Sequence, residues 1–220
     1  MTYLNNNEVR DIRDRLKDYE MCVTYADGVY RHLRFYSTTD PYPGNCSFDV
    51  VTWPGHAWIG GDWCRGYTIS RENDMLTDFL DVLNISYGYW AEKMSLTSDV
   101  PIKRRSVLAY EKWVRDTAQE IAADYELSES DTQDIIDEYI SLIDPDHPNV
   151  VSWGVLESLE SMEFDVDRRL GKVVEVPLAI SDAWELDFDE YTYGFLVACE
   201  GLRFAAEKWA SHAEENRCPR

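Results

Sequence analysis

The sequence predicts one α+β domain, residues 1–220, in which an N-terminal antiparallel sheet of about four strands with flanking helices precedes a C-terminal helical bundle. Two observations predict this fold class. Short runs rich in β-branched and aromatic residues between residues 29 and 71 are separated by turns containing Pro and Gly. From residue 101 onward, apolar side chains recur at steps of three and four. We distinguish a sheet-containing half, residues 1–95, from an acidic helical half, residues 101–220.

The chain is long enough and apolar enough to bury a substantial core. It has 220 residues, of which 45% are hydrophobic, and it includes 8 Trp, 14 Tyr and 7 Phe. Disordered polyanions contain few such side chains, so the sequence predicts a folded protein despite its formal net charge of -21.

The sheet-containing half opens with a predicted helix over residues 5–20, capped by Asn5 or Asn6. Its apolar face is Val9, Ile12, Leu16 and Tyr19. Strands follow over residues 29–36, 46–53, 57–61 and 66–71, and Trp53-Pro54-Gly55-His56 forms a tight turn between the second and third. Asn73 or Asp74 caps the next helix, and residues 87–94 form a short helical or irregular segment. The amphipathic stripe of that helix is Met75, Leu76, Phe79, Leu80 and Leu83.

The helical half is predicted from periodicity. One helix covers residues 104–125, and its core stripe includes Val107, Leu108, Val114 and Ala118. A second opens at Ser128 with the capping-box pattern completed by Asp131, and Asp144-Pro145 stops it. Residues 150–162 form a short helix, and residues 173–176 form an edge strand or extended loop. The last helix, from Asp187 or Asp189 to Ala213, is either the most buried helix or the seam of a homodimer.

Negative charge is concentrated in the helical half. The stretch from Asp116 to Asp167 contains sixteen Asp and Glu and no Lys or Arg, although the fold prediction makes most of it helical. Like charges on one face of a helix destabilise the helix, so we expect this surface to have a role that offsets that cost. The candidate partner-binding residues are the carboxylates that share the outer faces of the two predicted helices: Asp116, Glu120, Asp124, Asp131, Asp134, Asp137 and Glu138.

A set of short segments in the first half carries a family resemblance: Tyr30-Arg31-His32-Leu33-Arg34-Phe35, Phe48-Asp49, Thr52-Trp53-Pro54-Gly55-His56, Gly61-Asp62, Ser70-Arg71, Asp74-Met75, Phe79 and Tyr89-Trp90-Ala91-Glu92-Lys93. Together they resemble a family of small bacteriophage and prophage proteins to which no activity is assigned. The resemblance covers residues 28–94, and the last helix around Tyr191 more loosely. The family usually has Met-Gly after Gly-Asp, where this chain has Trp63-Cys64. The resemblance implies a phage or mobile-element origin, and therefore action inside an infected cell.

Charge and resemblance together favour a non-enzymatic anti-defence inhibitor, such as an anti-CRISPR protein. Its acidic helices would imitate a nucleic-acid backbone and block a basic nucleic-acid-binding host protein, for example a CRISPR effector or nuclease. Nucleic acid itself is an unsuitable ligand for such a surface. Trp113, Tyr125, Tyr139 and Trp153 are the expected aromatic anchors. The alternative without mimicry is an acidic accessory protein whose charges serve solubility or adaptation to high salt.

A second alternative is an enzyme. His56, Asp62, Cys64 and Asp49 all lie near the predicted turn, and His, Asp and Cys can bind a metal or form a nucleophile and base pair. However, their spacing matches none of the HExxH, CxxC or GxSxG patterns. Asp144-Pro145-Asp146-His147 also lacks the central Gly of a calcium-binding loop. We therefore expect no metal and no cofactor.

The remaining sequence features bear on location. The five cysteines are widely spaced and odd in number, as in proteins of a reducing cytoplasm. The first ten residues are polar, and no apolar run approaches the ~20 residues of a membrane span. The expected location is the host-cell cytoplasm.

Overall fold

A computed structural model describes residues 2–42, 44–96, 101–143, 151–168, 172–177, 179–180 and 183–215. The strands in this part are β1 (Tyr19–Asp27), β2 (Tyr30–Ser37), β3 (Phe48–Trp53), β4 (His56–Gly61), β5 (Tyr67–Ser70), β6 (Met94–Leu96), β7 (Lys103–Arg105), β8 (Glu163–Arg168), β9 (Lys172–Pro177) and β10 (Asp189–Tyr191). The α-helices are α1 (Asn6–Leu16), α2 (Met75–Asp78), α3 (Tyr87–Lys93), α4 (Val107–Asp124), α5 (Glu129–Ser141), α6 (Trp153–Leu159) and α7 (Tyr193–Glu215).

The predicted α+β class is confirmed, with an N-terminal antiparallel sheet and C-terminal helices. The chain divides into two compact units. The helical unit comprises residues 1–3 and 104–190, and the sheet unit comprises residues 4–103 and 191–220. The last helix, α7, lies in the sheet unit, although the sequence groups it with the acidic helices. The chain passes between the units at three places, after Tyr3, within β7 and within β10.

The sheet has six strands in the order β1-β2-β3-β4-β5-β6, each pairing antiparallel with the next. The four predicted strands are β2 to β5, and an edge strand lies on each side of them. The prediction that the first helix continues to Glu20 is wrong, because α1 ends at Leu16 and Tyr19 begins β1. Tyr19 continues the helical spacing of Ile12 and Leu16, which favoured the longer helix. A register shift lies between Val23 and Tyr25 of β1.

The predicted turn joins β3 to β4. Trp53 and His56 are register partners, so Pro54 and Gly55 are its two central residues. Gly55 has φ +80°, which matches the glycine position of a type II turn after Pro. The ring of His56 stacks on the ring of Trp53, with 5.2 Å between centroids.

Helix α7 covers the inner face of the sheet. It approaches β4 closely, because a Cβ at Gly201 would lie 2.7 Å from Ile59 Cδ1. This helix is the centre of the sheet unit's core, as one of the two predictions for it stated. The core side chains of α7 that are fully or almost fully buried include Phe195, Leu196, Val197, Ala198, Cys199, Leu202 and Ala205.

The helical unit has its own core between α4, α5 and α6. Tyr110, Val114 and Tyr139 are fully buried in it. Leu108 was predicted to lie in this core, but it is 54% exposed, because the buried stripe of α4 passes through Ala109 and Tyr110 instead. The predicted stop at Asp144-Pro145 lies outside the described residues.

The acidic stretch is not helical throughout. Residues 163–168, which the sequence analysis placed in a mostly helical region, form strand β8, and β8 pairs antiparallel with β9. The alternation of Phe164 and Val166 with Asp165 and Asp167 is the two-residue period of a strand. The predicted edge strand at residues 173–176 corresponds to β9.

Candidate partner-binding surface

Three of the predicted contact residues lie on α4. Ser106 caps this helix, its Oγ accepting a hydrogen bond from the Ala109 N–H. Asp116, Glu120 and Asp124 follow at four-residue steps, and all three are exposed. Asp116 forms an ion pair with Lys112, at 2.5 Å between Nζ and Oδ2. The column therefore carries two carboxylates, on Glu120 and Asp124, beyond the one paired with lysine.

The other four predicted residues lie on α5. Asp134, Asp137 and Glu138 are exposed. Asp131 instead completes the predicted capping box, its Oδ2 accepting hydrogen bonds from the N–H and the hydroxyl of Ser128. Its carboxylate therefore has a structural role at the start of the helix. The Asp137 carboxylate accepts a hydrogen bond from Gln133 Nε2, which leaves its charge in place.

The two helices are fixed to each other. Tyr110 of α4 donates a hydrogen bond from its buried hydroxyl to the backbone carbonyl of Tyr139 on α5, at 2.7 Å. Only four residues, 125–128, connect the helices, a length typical of antiparallel neighbours. The exposed carboxylates therefore project from a packed helix pair and not from a mobile loop.

The connection itself is strained. Leu127 donates its N–H to the Ala122 carbonyl, which is the six-to-one hydrogen bond of a Schellman motif. That motif places Glu126 in the left-handed region, with φ +52°, where glycine is the usual residue.

The charge imbalance belongs to this unit. Its sequence contains 23 Asp and Glu against 7 Lys and Arg, a formal net charge of -16, whereas the sheet unit contains 19 against 14, a net charge of -5. In the described residues of α4 and α5, Glu120, Asp124, Asp134 and Glu138 form no ion pair with Lys or Arg. The surface is therefore strongly anionic with little internal neutralisation.

The predicted aromatic anchors are not a free surface. Tyr139 is fully buried, so the prediction that it contacts a partner is wrong. Trp113 packs its half-buried ring against the rings of Tyr110 and Phe188 and edge-on against that of Tyr139. Tyr125 is half-buried, and the Trp153 side chain lies outside the described residues. The aromatic residues of α4 and α5 serve the core that holds the carboxylates in position.

The residues of the enzyme alternative are not brought together. His56 begins β4 and Asp62 follows its other end, so roughly 16 Å of strand separates their backbones. Asp62 Oδ2 accepts a hydrogen bond from the Cys46 N–H, and His56 Nδ1 lies 2.9 Å from the Pro54 carbonyl oxygen. Burial raises the pKa of the Cys64 thiol to about 12, so this thiol is protonated at neutral pH.

Neither a metal-binding cluster nor a membrane-spanning helix occurs in the described part of the chain. No three His, Cys, Asp or Glu side chains there are grouped so as to hold a metal ion. No helix there is both long and apolar enough to cross a bilayer. Asp144, Asp146 and His147, considered for calcium, lie outside the described residues.

The sheet unit contains a buried charge cluster that was not predicted from the sequence. Glu200 on α7 is 0% exposed, and Arg13 of α1 donates to both of its oxygens at 2.9 Å. Arg203 and the Tyr87 hydroxyl donate to it as well. Burial alone raises the pKa of the Glu200 carboxyl, but the hydrogen bonds from Arg13 and Tyr87 outweigh burial and leave that pKa below its usual value. The signal was present in the sequence as one Glu in an otherwise apolar helical stretch.

Comparisons with known proteins give no further guide. No protein-family model matches the chain, and no curated protein or solved structure matches it either. The resemblance to the phage family stays a prediction.

Proposed function

We propose that this protein is a phage-encoded, non-enzymatic inhibitor of a host defence protein, and that the acidic face of α4 and α5 is its binding surface. The partner is a basic nucleic-acid-binding protein in the host cytoplasm, such as a CRISPR effector or a nuclease. The acidic face occupies the groove that the nucleic acid needs. The anti-CRISPR class is the most specific form of this proposal.

The observation that carries the proposal is the set of exposed carboxylates Glu120, Asp124, Asp134 and Glu138, which lack basic partners in the described part of the helices. Residues four apart on a helix advance about 6 Å along its axis, so each helix presents an ordered column of negative charges. A cationic groove that neutralises a row of phosphates is complementary to such columns.

Binding of this kind depends on long-range attraction. Complementary charges accelerate the encounter, and salt screens the attraction between charges farther apart than the Debye length, about 8 Å at physiological ionic strength. Because the helix pair is rigid, little conformational entropy is lost when the carboxylates meet their partners. The inhibitor should therefore bind fast at low salt and lose affinity steeply as salt rises.

The test is a charge reversal of Glu120, Asp124, Asp134 and Glu138 to Lys. We expect the reversed protein to lose inhibition in a host assay that scores CRISPR interference or nuclease restriction of an infecting phage. With a purified target, duplex DNA should displace the wild-type inhibitor competitively, because both occupy one groove.

A matched control changes the net charge equally at a different place. Asp11, Glu72, Asp81 and Glu92 are exposed acids of the sheet unit, and their reversal to Lys should leave inhibition intact. Equal loss in both variants would mean that net charge alone matters. Unchanged inhibition by a folded variant reversed on α4 and α5 would refute the mimicry and leave the plain acidic-surface interpretation.

A further inference from the structure

The sheet presents an open aromatic face on the side opposite α7. Along β2, Leu33 and Phe35 are buried on the inner side, whereas the outward side chains of the strands are half-buried or exposed. Tyr25 and Tyr30, which lie on this outer side near one end of the sheet, are 55% and 53% exposed. The outer face is thus an accessible surface of the sheet unit.

Trp58 lies on this face, with its ring over the neighbouring residue Gly60. A Cβ built on Gly60 would lie 2.4 Å from the Trp58 ring, so the ring rests on the bare backbone of Gly60. The ring therefore contacts β4, and the Trp58 side chain is half-buried and partly accessible to solvent. In the described part of the chain no other aromatic ring stacks on it.

A carboxylate stands beside that ring. Asp49 on β3 is the register partner of Gly60, so its side chain is one strand spacing, about 5 Å, from the strand position that the ring covers. The Asp49 side chain is 27% exposed, and its Oδ1 lies 3.0 Å from His32 Nε2. This contact fixes the carboxylate and leaves Oδ2 for another donor.

The chain already holds one of its own arginines in this way. The Arg31 guanidinium lies over the Trp209 ring, 4.7 Å from its centroid, and donates to both oxygens of Asp74. A planar cation suits this combination, because it stacks on an indole and forms hydrogen bonds to a carboxylate in its own plane. Trp58 and Asp49 offer the same two groups on the outer face.

We propose that Trp58 and Asp49 form a recognition site for an arginine side chain of a protein partner. The charge of the face supports this occupant, since its outward charged residues are Glu20, Asp27 and Asp49 against Arg34. A stacked nucleobase is the competing occupant, but a face with more acids than bases repels its phosphates. This site is in the sheet unit and does not depend on the acidic helices.

The experiment uses the full chain with Glu120, Asp124, Asp134 and Glu138 neutralised to Gln or Asn, so that cationic probes have less to bind on the helical unit. The probes are a fluorescent decapeptide with three Arg in a Gly-Ser background, the same peptide with three Lys, and a ten-nucleotide thymidine oligomer. Affinity is read by fluorescence anisotropy at low salt.

We expect Trp58→Leu to weaken binding of the Arg peptide about fivefold or more and to change binding of the Lys peptide less than twofold, because a lysine ammonium does not stack. Asp49→Asn should weaken both peptides. Arg34→Gln should strengthen both, because it removes a competing cation that is the register partner of Asp49. Tyr36→Leu, on the same face, is the control and should change neither.

Gly60→Ala tests the geometry without removing the indole. Its Cβ displaces the Trp58 ring, so Arg selectivity should be lost while the Trp remains. Equal weakening of the Arg and Lys peptides by Trp58→Leu would overturn the proposal, as would no weakening of either. Binding of the thymidine oligomer that depends on Trp58 would replace it with a nucleic-acid site. None of these outcomes alters the host-inhibition test of α4 and α5, so failure here and failure there are distinguishable.

Discussion

The two units use their charged residues differently. In the sheet unit, the buried charges each meet a partner of fixed geometry: Glu200 with Arg13, and Arg31 with Asp74. Such pairs are costly to bury, and they are retained only where further hydrogen bonds complete them. Here the Tyr87 hydroxyl and Arg203 complete the set around Glu200. Buried charge in this unit serves the fold.

Among its described residues, the helical unit has one buried acid of this kind, Glu190, which accepts hydrogen bonds from Arg104 and from the Ser106 hydroxyl. The exposed carboxylates of α4 and α5 are instead placed where they repel one another. The segment that connects α4 to α5 also holds Glu126 in a left-handed backbone conformation that favours glycine. The contrast indicates that the exposed surface of the helical unit can still be stabilised by simple substitutions. Proteins commonly keep such unfavourable features where they bind something.

Glu200→Ala in the sheet unit should destabilise the protein strongly. Removing the carboxylate leaves Arg13, Arg203 and the Tyr87 hydroxyl without their shared acceptor. We expect a loss of about 3 kcal/mol in the free energy of unfolding, the low end for breaking a buried pair, because the Arg13 side chain is 42% exposed and regains some water. Urea unfolding measures the loss, and hydrogen exchange shows whether it is confined to the sheet unit.

The control for this substitution is Glu207→Ala on the same helix. Glu207 also pairs with Arg203, but its side chain is 60% exposed, so we expect a change of less than about 1 kcal/mol. Equal losses at both positions would contradict the structural role assigned to Glu200.

Patterns among neighbouring residues predicted most of the secondary-structure elements. Contacts between distant segments determine how those elements pair and pack. The turn at Pro54 and Gly55, the alternating faces of β2 and the capping box at Ser128 follow from neighbouring residues, so the sequence predicted them correctly. Strand β1 was missed because Tyr19 continues the helical spacing of Ile12 and Leu16, and the pairing of β1 with β2 is a contact between segments. The assignment of α7 to the sheet unit also depends on packing across nearly the whole chain.

The candidate surface was predictable only in part. Exposure of Glu120, Asp124, Asp134 and Glu138 follows from helical periodicity. The cap role of Asp131 was also visible as a pattern, yet the residue was counted among the contacts. The sequence could not show whether Tyr139 is buried in the core or exposed at an interface, because aromatic residues on helices occur in both places. The pairing of Trp58 with Gly60 and Asp49 depends on strand register, which the sequence does not supply.

The stabilities of the two units should depend differently on pH. The pKa values of the Glu200 and Asp74 carboxyls are below their usual values in the folded chain, because Arg13 and Tyr87 hold the first and Arg31 the second in the ionised form against the effect of burial. A lowered folded pKa contributes stability above the unfolded value, and that stability is lost as pH falls. We expect the sheet unit to lose protection from hydrogen exchange below about pH 4.5. Glu200→Gln should flatten this dependence, and an unchanged slope in that variant would count against it.

In the helical unit, a stabilising substitution is expected at Glu126. Glu126 has φ +52° in the exposed connection after α4. A left-handed conformation costs a non-glycine residue roughly 1 kcal/mol, so Glu126→Gly should raise the free energy of unfolding of the helical unit by up to about that amount. Glu126→Ala is the control, because it removes the charge and keeps the strain. If Ala stabilises as much as Gly, charge and not backbone conformation is the cause.

The repulsion between Asp134 and Glu138 on α5 has a small effect on stability but tests the proposed function directly. Asp134 and Glu138 are like charges one helical turn apart, so neutralising both as Asp134→Asn and Glu138→Gln should raise the free energy of unfolding by about 0.2–0.5 kcal/mol at low salt. The gain should vanish in high salt, where the repulsion is already screened. Asp116→Asn is the control and should give no gain, because it removes the partner of Lys112. A variant that is more stable yet inhibits the host less would show that the repulsion is kept for binding. A variant that is more stable and inhibits equally well would leave these two carboxylates without a function in the proposed mechanism.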